Sequence, residues 1–335
     1  GMDLPAAPVV NTQGDAILYR GGDIISGGRG DDILLGDGGY IERNAAGQVR
    51  MIRSQDPEFG GHDLIDLFGN MGNDIIIGGR GDDWIRGGTM DDGRDLIFGD
   101  WGLVDFTTFR NVDQDISVPN QRLLIANAIA TDPLFGGNDR IEGGTGDNLI
   151  SGGPGNDRIT VGNGNNVIGG DMLFFERNSF NRLSMVHSVF PEVAGNNHIQ
   201  AGSGNDVIIG GGGSNWIHGG AGNDVIFGDH GAAIFYRQSA RDNDLFSLYP
   251  HSGGENTIFG GEGHDIIFGG ANGVMTPPAL LQGRTVTVDA NGYVTRAGGF
   301  GVGGNIIYSS PADPSLPWFD DVVFGDSGYI ERTLT

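Results

Sequence analysis

Apolar residues come in threes along most of this chain. Ile33–Leu35, Ile75–Ile77, Leu96–Phe98, Val207–Ile209, Val225–Phe227 and Ile266–Phe268 are separated by runs of glycine with acidic or amide residues and by a second, more polar set of triplets. Three residues is too few for a helix and fits a brief strand, whose central side chain points to one face and its two neighbours to the other. The intervening glycines allow φ > 0 and so a tight turn. The period is nine: Gly27–Leu35 reads GGRGDDILL, Gly78–Arg86 GGRGDDWIR, Gly152–Thr160 GGPGNDRIT, Gly219–Phe227 GGAGNDVIF and Gly260–Phe268 GGEGHDIIF. Such a period predicts stacked strand-and-turn units.

The residue that ends each turn, at the sixth position, is Asp or Asn throughout. Taking alternate repeats sorts these residues into two columns. Column A holds Asp23, Asp63, Asp83, Asp139, Asp157, Asn197, Asn215, Asn256 and Asn305; column B holds Asp32, Asp74, Asp95, Asn148, Asn166, Asp206, Asp224, Asp265 and Asp321. Asp offers a hard anionic oxygen with the turn carbonyls, whereas Asn lacks the charge and weakens a hard-cation site. A second signature, GDxG, closes the blocks of repeats at Asp37, Asp100, Asp171 (where Met172-Leu173 replaces the usual pair), Asp229 and Asp326. These carboxylates either join the column A sites, Asp100 near Asp83 and Asp171 near Asp157, or serve as turn formers.

The repeats resemble the RTX, or hemolysin-type, calcium-binding nonapeptide GGxGxDxUx of large secreted bacterial proteins, from about Gly21 to Phe324. The resemblance implies an all-β chain: a parallel β-roll or β-helix solenoid, two nonapeptides per coil, with several Ca²⁺ ions between turns n and n+2. The expected ligands are Asp23, Asp32, Asp37, Asp63, Asp74, Asp83, Asp95, Asp100, Asp139, Asp157, Asp171, Asp206, Asp224, Asp229, Asp265, Asp321 and Asp326. Strong sites are expected at Asp63/Asp83, Asp74/Asp95, Asp139/Asp157 and Asp206/Asp224. Weak or empty ones are expected at Asn148/Asn166 and Asn197/Asn215, where stacked amides can bond to each other; the alternative is that carbonyls and Asn oxygens suffice and these turns fill as well.

Composition sharpens this picture. The 64 glycines in 335 residues are more than twice the usual share, as a turn at every repeat requires. Acidic residues divide into 35 Asp and 8 Glu, all 19 basic residues are Arg, and the net charge is −24. That balance excludes nucleic acid and membrane insertion as leading ideas and favours cations as counter-ligands. The absence of cysteine excludes thiol chemistry and cysteine zinc sites. No apolar run reaches the ~18–20 residues of a membrane helix. The Gly before Met2 reads as a cloning remnant, and the chain as a piece of a longer one with neighbouring domains.

The whole chain, 1–335, reads as one elongated solenoid with repeat blocks at about 21–36, 60–99, 136–170, 195–228, 253–270 and 303–325. Between them run excursions at about 37–59, 100–135, 171–194, 229–252 and 271–302, too long for bare loops. They open on alternating, strand-like runs such as YIERNA at 40, LVDFTTF at 103 and MLFFERN at 172, and two close alike, DPEFGGHD at 56 and DPLFGGND at 132. The outward positions of the column B strands are apolar, Ile75/Ile77, Leu96/Phe98 and Val225/Phe227 among them, while column A shows a mixed set such as Trp84/Arg86 and Arg140/Glu142. An apolar stripe of that extent needs a cover. Each excursion leaves after a B strand and carries aromatics such as Phe106, Phe109, Phe174, Phe175, Phe190, Phe235, Tyr236 and Phe246, so the excursions are expected to fold back over face B and create a second core.

Other motifs are weaker. The two RGD tripeptides, Arg29–Asp31 and Arg80–Asp82, fall inside nonapeptide turns, which explains them better than adhesion. Trp84 and Trp216 on face A either stack on sugars or pack beside neighbouring side chains. His62 and His264 sit in turns and read as solvated, and no HExxH or GxSxG occurs. The resulting expectation is a non-enzymatic, calcium-binding structural or interaction module of a secreted or surface-associated bacterial protein such as an adhesin, with folding coupled to Ca²⁺. The alternative is an enzyme-associated solenoid that binds or acts on polysaccharide; as a catalyst it would have to borrow Asp105, Asp113 or Glu176. Calcium and a cell-surface or polysaccharide ligand are the partners these readings imply.

Overall fold

Each sixth-position residue ends a turn and opens a strand, and each strand hydrogen-bonds to the equivalent strand one coil away. The computed structural model describes residues 22–66, 71–88, 93–107, 124–178, 182–235, 244–249 and 251–270, with the backbone of strands Val9–Val10, Ala16–Ile17, Thr287–Val288, Val294–Arg296, Ile306–Tyr308, Val322–Phe324 and Tyr329–Ile330. Three nine-stranded sheets contain nearly all of the strands, and no helix occurs among the described residues.

The column A strands, from Ile24–Ile25 to Ile306–Tyr308, form one wholly parallel sheet in chain order. The column B strands, from Ile33–Leu35 to Val322–Phe324, form a second. One strand from each makes a coil, so there are nine coils. Among the described residues the central side chains of the triplets point between the two sheets: Ile65, Ile76, Ile85, Ile97, Ile141, Ile150, Ile159, Ile168, Ile199, Ile208, Ile217, Ile226, Ile258 and Ile267 are all fully buried there. Burying one such side chain contributes about 1.5–3 kcal/mol, so this single-file isoleucine core is the main support of the solenoid.

The excursions build the third sheet, antiparallel and also nine-stranded, from Gly39–Arg43 and Val49–Ser54 at one end to Asp244–Ser247 and Tyr329–Ile330 at the other. Its inward side chains, Ile52, Val104, Ala128, Phe175, Val186, Ala233 and Leu245, pack on the outward residues of sheet B, including Ile75, Ile77, Phe98, Phe227 and Phe268. Face B is covered as its apolar pattern requires. Phe175 meets Phe98 edge to face with centroids 6.3 Å apart, and Phe106, Phe190 and Phe235 lean on the same core. Phe174 instead pairs across the outer sheet with His187. Phe109 and Tyr236 lie outside the described residues.

The two layers keep step for a simple reason. Excursions leave the solenoid after Asp37, Asp100, Asp171 and Asp229, in coils two, four, six and eight, and plain nonapeptide turns at 78–83, 152–157 and 210–215 fill the coils between. Each of these four excursions is a hairpin of two strands, so every two coils receive two outer strands; of the fifth, 271–302, only strands Thr287–Val288 and Val294–Arg296 are described, and they pair with each other in a sheet of their own rather than joining the outer one. Strand spacing is about 4.8 Å in every sheet, and the register never drifts. Each hairpin is pinched at its base by one hydrogen bond: Gln55 N–H to Gly38 O, Thr131 to Trp101, Val189 to Met172 and Leu248 to His230, at 2.8–3.0 Å. The chain then turns through a left-handed residue, Asp56, Asp132, Phe190 or Tyr249 (φ 49–57°), before rejoining the coil. The recurrent DPxF of the sequence is this corner.

The odd GDxG copy has a packing cause. A Cβ on Gly102 would lie 2.7 Å from the Phe98 ring, which ends the preceding B strand, and Gly231 stands in the same relation to Phe227. Where the signature loses that glycine the bulk is exchanged: Leu173 fills the space, and the strand ends in Gly169 directly beneath its side chain.

On face A, the guanidinium carbons of Arg140 and Arg86 lie 4.5 and 5.0 Å from the Trp84 ring, and Glu142 pairs with both arginines. Trp216 is stacked on His198 at 4.1 Å and 5°, with Phe259 of the next coil tilted towards it at 5.6 Å. These rings are occupied by protein groups, as the packing reading of both tryptophans expects.

Candidate metal centre

The turns stack on two edges, one leading into the A strands and one into the B strands. Glycines hold them because adjacent turns nearly touch: Gly81 has φ 128°, and any Cβ there would strike the Gly61 carbonyl of the coil before. Along each edge the sixth-position side chains form a ladder. On edge A, Oδ1 of Asp63 accepts the N–H of Asp23, Asp83 that of Asp63, Asp139 that of Asp83, Asp157 that of Asp139, and the ladder continues through Asn197, Asn215 and Asn256, at 2.6–2.8 Å. Edge B repeats it through Asp32, Asp74, Asp95, Asn148, Asn166, Asp206, Asp224 and Asp265 at 2.7–3.1 Å. The pairs Asp63/Asp83, Asp74/Asp95, Asp139/Asp157 and Asp206/Asp224 are therefore in direct succession.

The second oxygen is the informative one. Oδ2 of Asp32, Asp63, Asp83, Asp139, Asp157, Asp206 and Asp224 is buried with no hydrogen-bond partner. In coil three it lies beside the first glycine of its own turn, Gly78, where the carbonyl of Gly99 from the next coil also arrives. Gly36, Gly99, Gly152 and Gly219 mark the same meeting of a carboxylate oxygen and a carbonyl from the next coil. Two acceptors facing one spot without a donor is an arrangement that a hard cation resolves. Among the described residues no group of three or more His, Cys, Asp or Glu side chains forms a cage by itself, so any such site must draw on main-chain carbonyls.

Electrostatics agree. Burial, reinforced by neighbouring carboxylates, lifts the Asp63 carboxyl to about 7 and the Asp224 carboxyl to about 8, with Asp74 and Asp206 at about 6. Asp83, Asp100, Asp139, Asp157 and Asp171 are all driven well above the carboxylate range, by burial first. Without a positive partner, this edge resists ionisation.

Where the ladder carries Asn, the same spot is filled differently. Because Oδ1 accepts the ladder N–H, Nδ2 takes the place of the second oxygen and donates to the arriving carbonyl: Asn197 to Gly210 at 3.1 Å, Asn215 to Gly228 at 3.0 Å and Asn256 to Gly269 at 3.0 Å. On edge B, Asn148 Nδ2 instead donates to Asn166 Oδ1 at 3.1 Å, and Asn166 Nδ2 to Asp206 Oδ1 at 3.0 Å. On edge B the Asn148 amide thus bonds to that of Asn166, as the sequence suggests, and Asn166 to the Asp206 carboxylate, whereas the edge A amides bond to backbone and, at Asn197 and Asn256, to a GDxG carboxylate as well.

The GDxG carboxylates occupy the second position of the excursion-bearing turns. Asp37 accepts the Arg80 N–H, Asp171 the Gly212 N–H and the Asn197 amide, and Asp229 the Gly254 N–H and the Asn256 amide. Asp100 has neither oxygen hydrogen-bonded and is 1% exposed. Asp23 is exposed at the first coil, and Asp321 and Asp326 lie outside the described residues.

Two features escaped the sequence reading. Asp66, the third residue of its triplet and in register with Ser26, takes φ 60°, and its buried Oδ2 has no hydrogen-bond partner. A second, exposed ladder runs through the fifth positions in the opposite sense: Asp82 Oδ1 accepts from Asn138, Asn138 from Asn156, Asn156 from Asn196 and Asn196 from Ser214. Asp82 of the second RGD tripeptide belongs to it, as does His62, whose Nδ1 accepts the Asp82 N–H. Fifth positions on edge B bond in the same way, Asp31 of the first RGD accepting from Asn73 and Asn223 from His264. The signal was in the sequence, since the fifth position is most often Asp, Asn or His.

A family model described as the RTX calcium-binding nonapeptide repeat matches the chain at residues 19–40, 68–102, 135–168, 193–226, 209–232 and 252–272. No curated protein matches it. The matched stretches contain both turn ladders from Asp23 to Asp265 except Asp63, and the chain carries RTX calcium-binding nonapeptide repeats in multiple copies along its length.

Proposed function

We propose that this chain is a calcium-binding structural and interaction module, without enzymatic activity, of a secreted or surface-associated bacterial protein of the adhesin type, and that calcium drives its folding. The ligands in this reading are the sixth-position aspartates from Asp23 to Asp321, with Asp37, Asp100, Asp171, Asp229 and Asp326 of the GDxG turns. One observation carries it: the row of buried, unpartnered Oδ2 atoms facing carbonyls of the next coil. An unpaired buried carboxylate opposes folding, and an ion that binds only the folded chain reverses that opposition. Low calcium inside a cell and high calcium outside it would then time folding to export. Of the acids a polysaccharide-cleaving reading would borrow, Asp105 and Glu176 flank Asn127 in one row of the outer sheet, and Asp113 lies outside the described residues.

Far-UV circular dichroism of chelated protein titrated with calcium, and separately with magnesium, tests the reading. A cooperative gain of β signal with calcium alone, near the ~10⁻⁴–10⁻³ M typical of extracellular modules, is expected. Full β signal in chelator would remove the folding switch.

A further inference from the structure

The Asp100 carboxylate is set apart from its counterparts by what surrounds it. In coil six, Asp171 Oδ1 receives the Asn197 amide at 2.8 Å and Oδ2 receives the N–H of Gly212, the third residue of the next turn. In coil two, Asp37 Oδ2 receives the equivalent N–H from Arg80. In coil four both donors are missing. The third residue of the next turn is Pro154, which has no N–H, and the place of the Asn197 amide is held by the carboxylate of Asp139. Both Asp100 oxygens and Asp139 Oδ2 are buried without hydrogen-bond partners, in residues 1% and 2% exposed.

Apart from the Gly137 N–H, which bears on the Asp100 carboxylate as Gly61 and Gly195 bear on Asp37 and Asp171, the atoms around them are also acceptors. The Gly152 carbonyl meets Asp139 Oδ2 beside Gly99, and the Pro154 carbonyl meets Asp100 Oδ2 beside Gly136. Bare glycines at 99, 136 and 153 leave the space a side chain would fill. In coil six, an amide nitrogen joins the equivalent acceptors, Asp171 Oδ1 and the Gly210 carbonyl. In coil four an oxygen replaces that nitrogen, so the set needs either a cation or a proton shared between the two carboxylates.

We propose that the base of the second excursion holds a divalent cation, Ca²⁺ by its all-oxygen donors, in a site distinct from those of the plain turns because Asp100 adds a second carboxylate to Asp139 and the Gly152 carbonyl. This rests on the calcium reading above and adds a rank order to it: the Asp100 site is the tightest on edge A. It also assigns the ion a second task. Asp100 immediately precedes Trp101, whose carbonyl accepts the Thr131 N–H that closes the hairpin base, so the ion fixes the outer sheet to the solenoid at that point.

The test is calcium binding by the whole chain, by calorimetry and chelator competition, for wild type, Asp100→Asn and Asp157→Asn, with hydrogen exchange at Thr131 in saturating calcium. Asp100→Asn is expected to weaken the tightest ion by about tenfold or more, since affinity follows ligand charge, and to raise exchange at Thr131. Asp157→Asn is expected to lose an ordinary ion and leave Thr131 protected. Unchanged tight binding and unchanged Thr131 exchange in Asp100→Asn would overturn the proposal and leave a proton shared between Asp100 and Asp139. No calcium binding by wild type would overturn the broader reading as well. Should Asp100→Asn fail to fold, terbium luminescence of wild type and Trp101→Phe decides. Loss of sensitised emission from the first equivalent of ion in Trp101→Phe supports the site, and emission unchanged from wild type sinks it.

Discussion

Coils two to five and coils six to eight share one backbone on edge A and differ by one atom per turn. In the first group Asp63, Asp83, Asp139 and Asp157 leave an oxygen facing the next carbonyl; in the second Asn197, Asn215 and Asn256 place an N–H₂ there. The amide is a built-in substitute for the ion. It satisfies the same carbonyl, carries no net charge and needs nothing from solution. Edge B is out of phase, with Asn148 and Asn166 in coils four and five and Asp206, Asp224 and Asp265 in coils six to eight. Coils one to three are acidic on both edges, so under the proposed calcium reading dependence on the ion should be graded along the molecule.

Chelation should expose that gradient with the largest effect of all. In hydrogen exchange without calcium, amides of Ile75–Ile77 and Trp84–Arg86 are expected to lose protection well before those of His198–Gln200 and Trp216–Ala221, because the former rest on carboxylates at both edges and the latter on amides at one. Uniform loss across all coils would show that the shared isoleucine core and outer sheet make the solenoid a single cooperative unit, and the comparison would carry no weight.

Exchanging the atoms sharpens the contrast. Asn197→Asp should leave Asp171 and the Gly210 carbonyl facing an oxygen, destabilise chelated protein by about 1–3 kcal/mol, the cost of unpaired buried acceptors, and add one calcium to the bound total. Asp139→Asn should do the reverse, lowering the bound total by one and raising the melting temperature in chelator. Thermal melts with and without calcium, beside direct calcium counts, read both. If neither swap moves the count, carbonyls alone bind the ion.

Much of this was legible because a nine-residue period makes every residue's place countable. The column in which Asp32 or Asn197 falls, and the fate of Ile75 and Phe98 beneath a second layer, followed from alternation and from an apolar stripe too large to leave bare. What could not be read were contacts between distant coils. Pro154 looks like any third-position residue until it lies beside Asp100, 54 positions earlier, and Leu173 looks like a broken signature until Gly169 is seen to make room for it. The direction of the Asn197 amide was equally hidden, since one partner, Asp171, lies across an excursion and the other, Gly210, belongs to the next turn.

Acidity offers the smallest and most diagnostic effect. In calcium-free protein the folded-state values of Asp206 at about 6, Asp63 at about 7 and Asp224 at about 8 lie above the ordinary 3.8, so between about pH 4 and 8 the folded chain holds more protons than the unfolded one. Stability in chelator should therefore rise as pH falls from 8 towards 5, the reverse of a protein whose carboxylates are paired. In saturating calcium the sign should invert, because the ion keeps those carboxylates ionised and protons compete with it. A few degrees of melting temperature across that range suffice to read the slope. Asn197→Asp should steepen it in chelator and Asp139→Asn should flatten it, since one adds and the other removes a buried carboxyl. Slopes of the same sign with and without calcium would mean that the buried oxygens are held by something other than the ion.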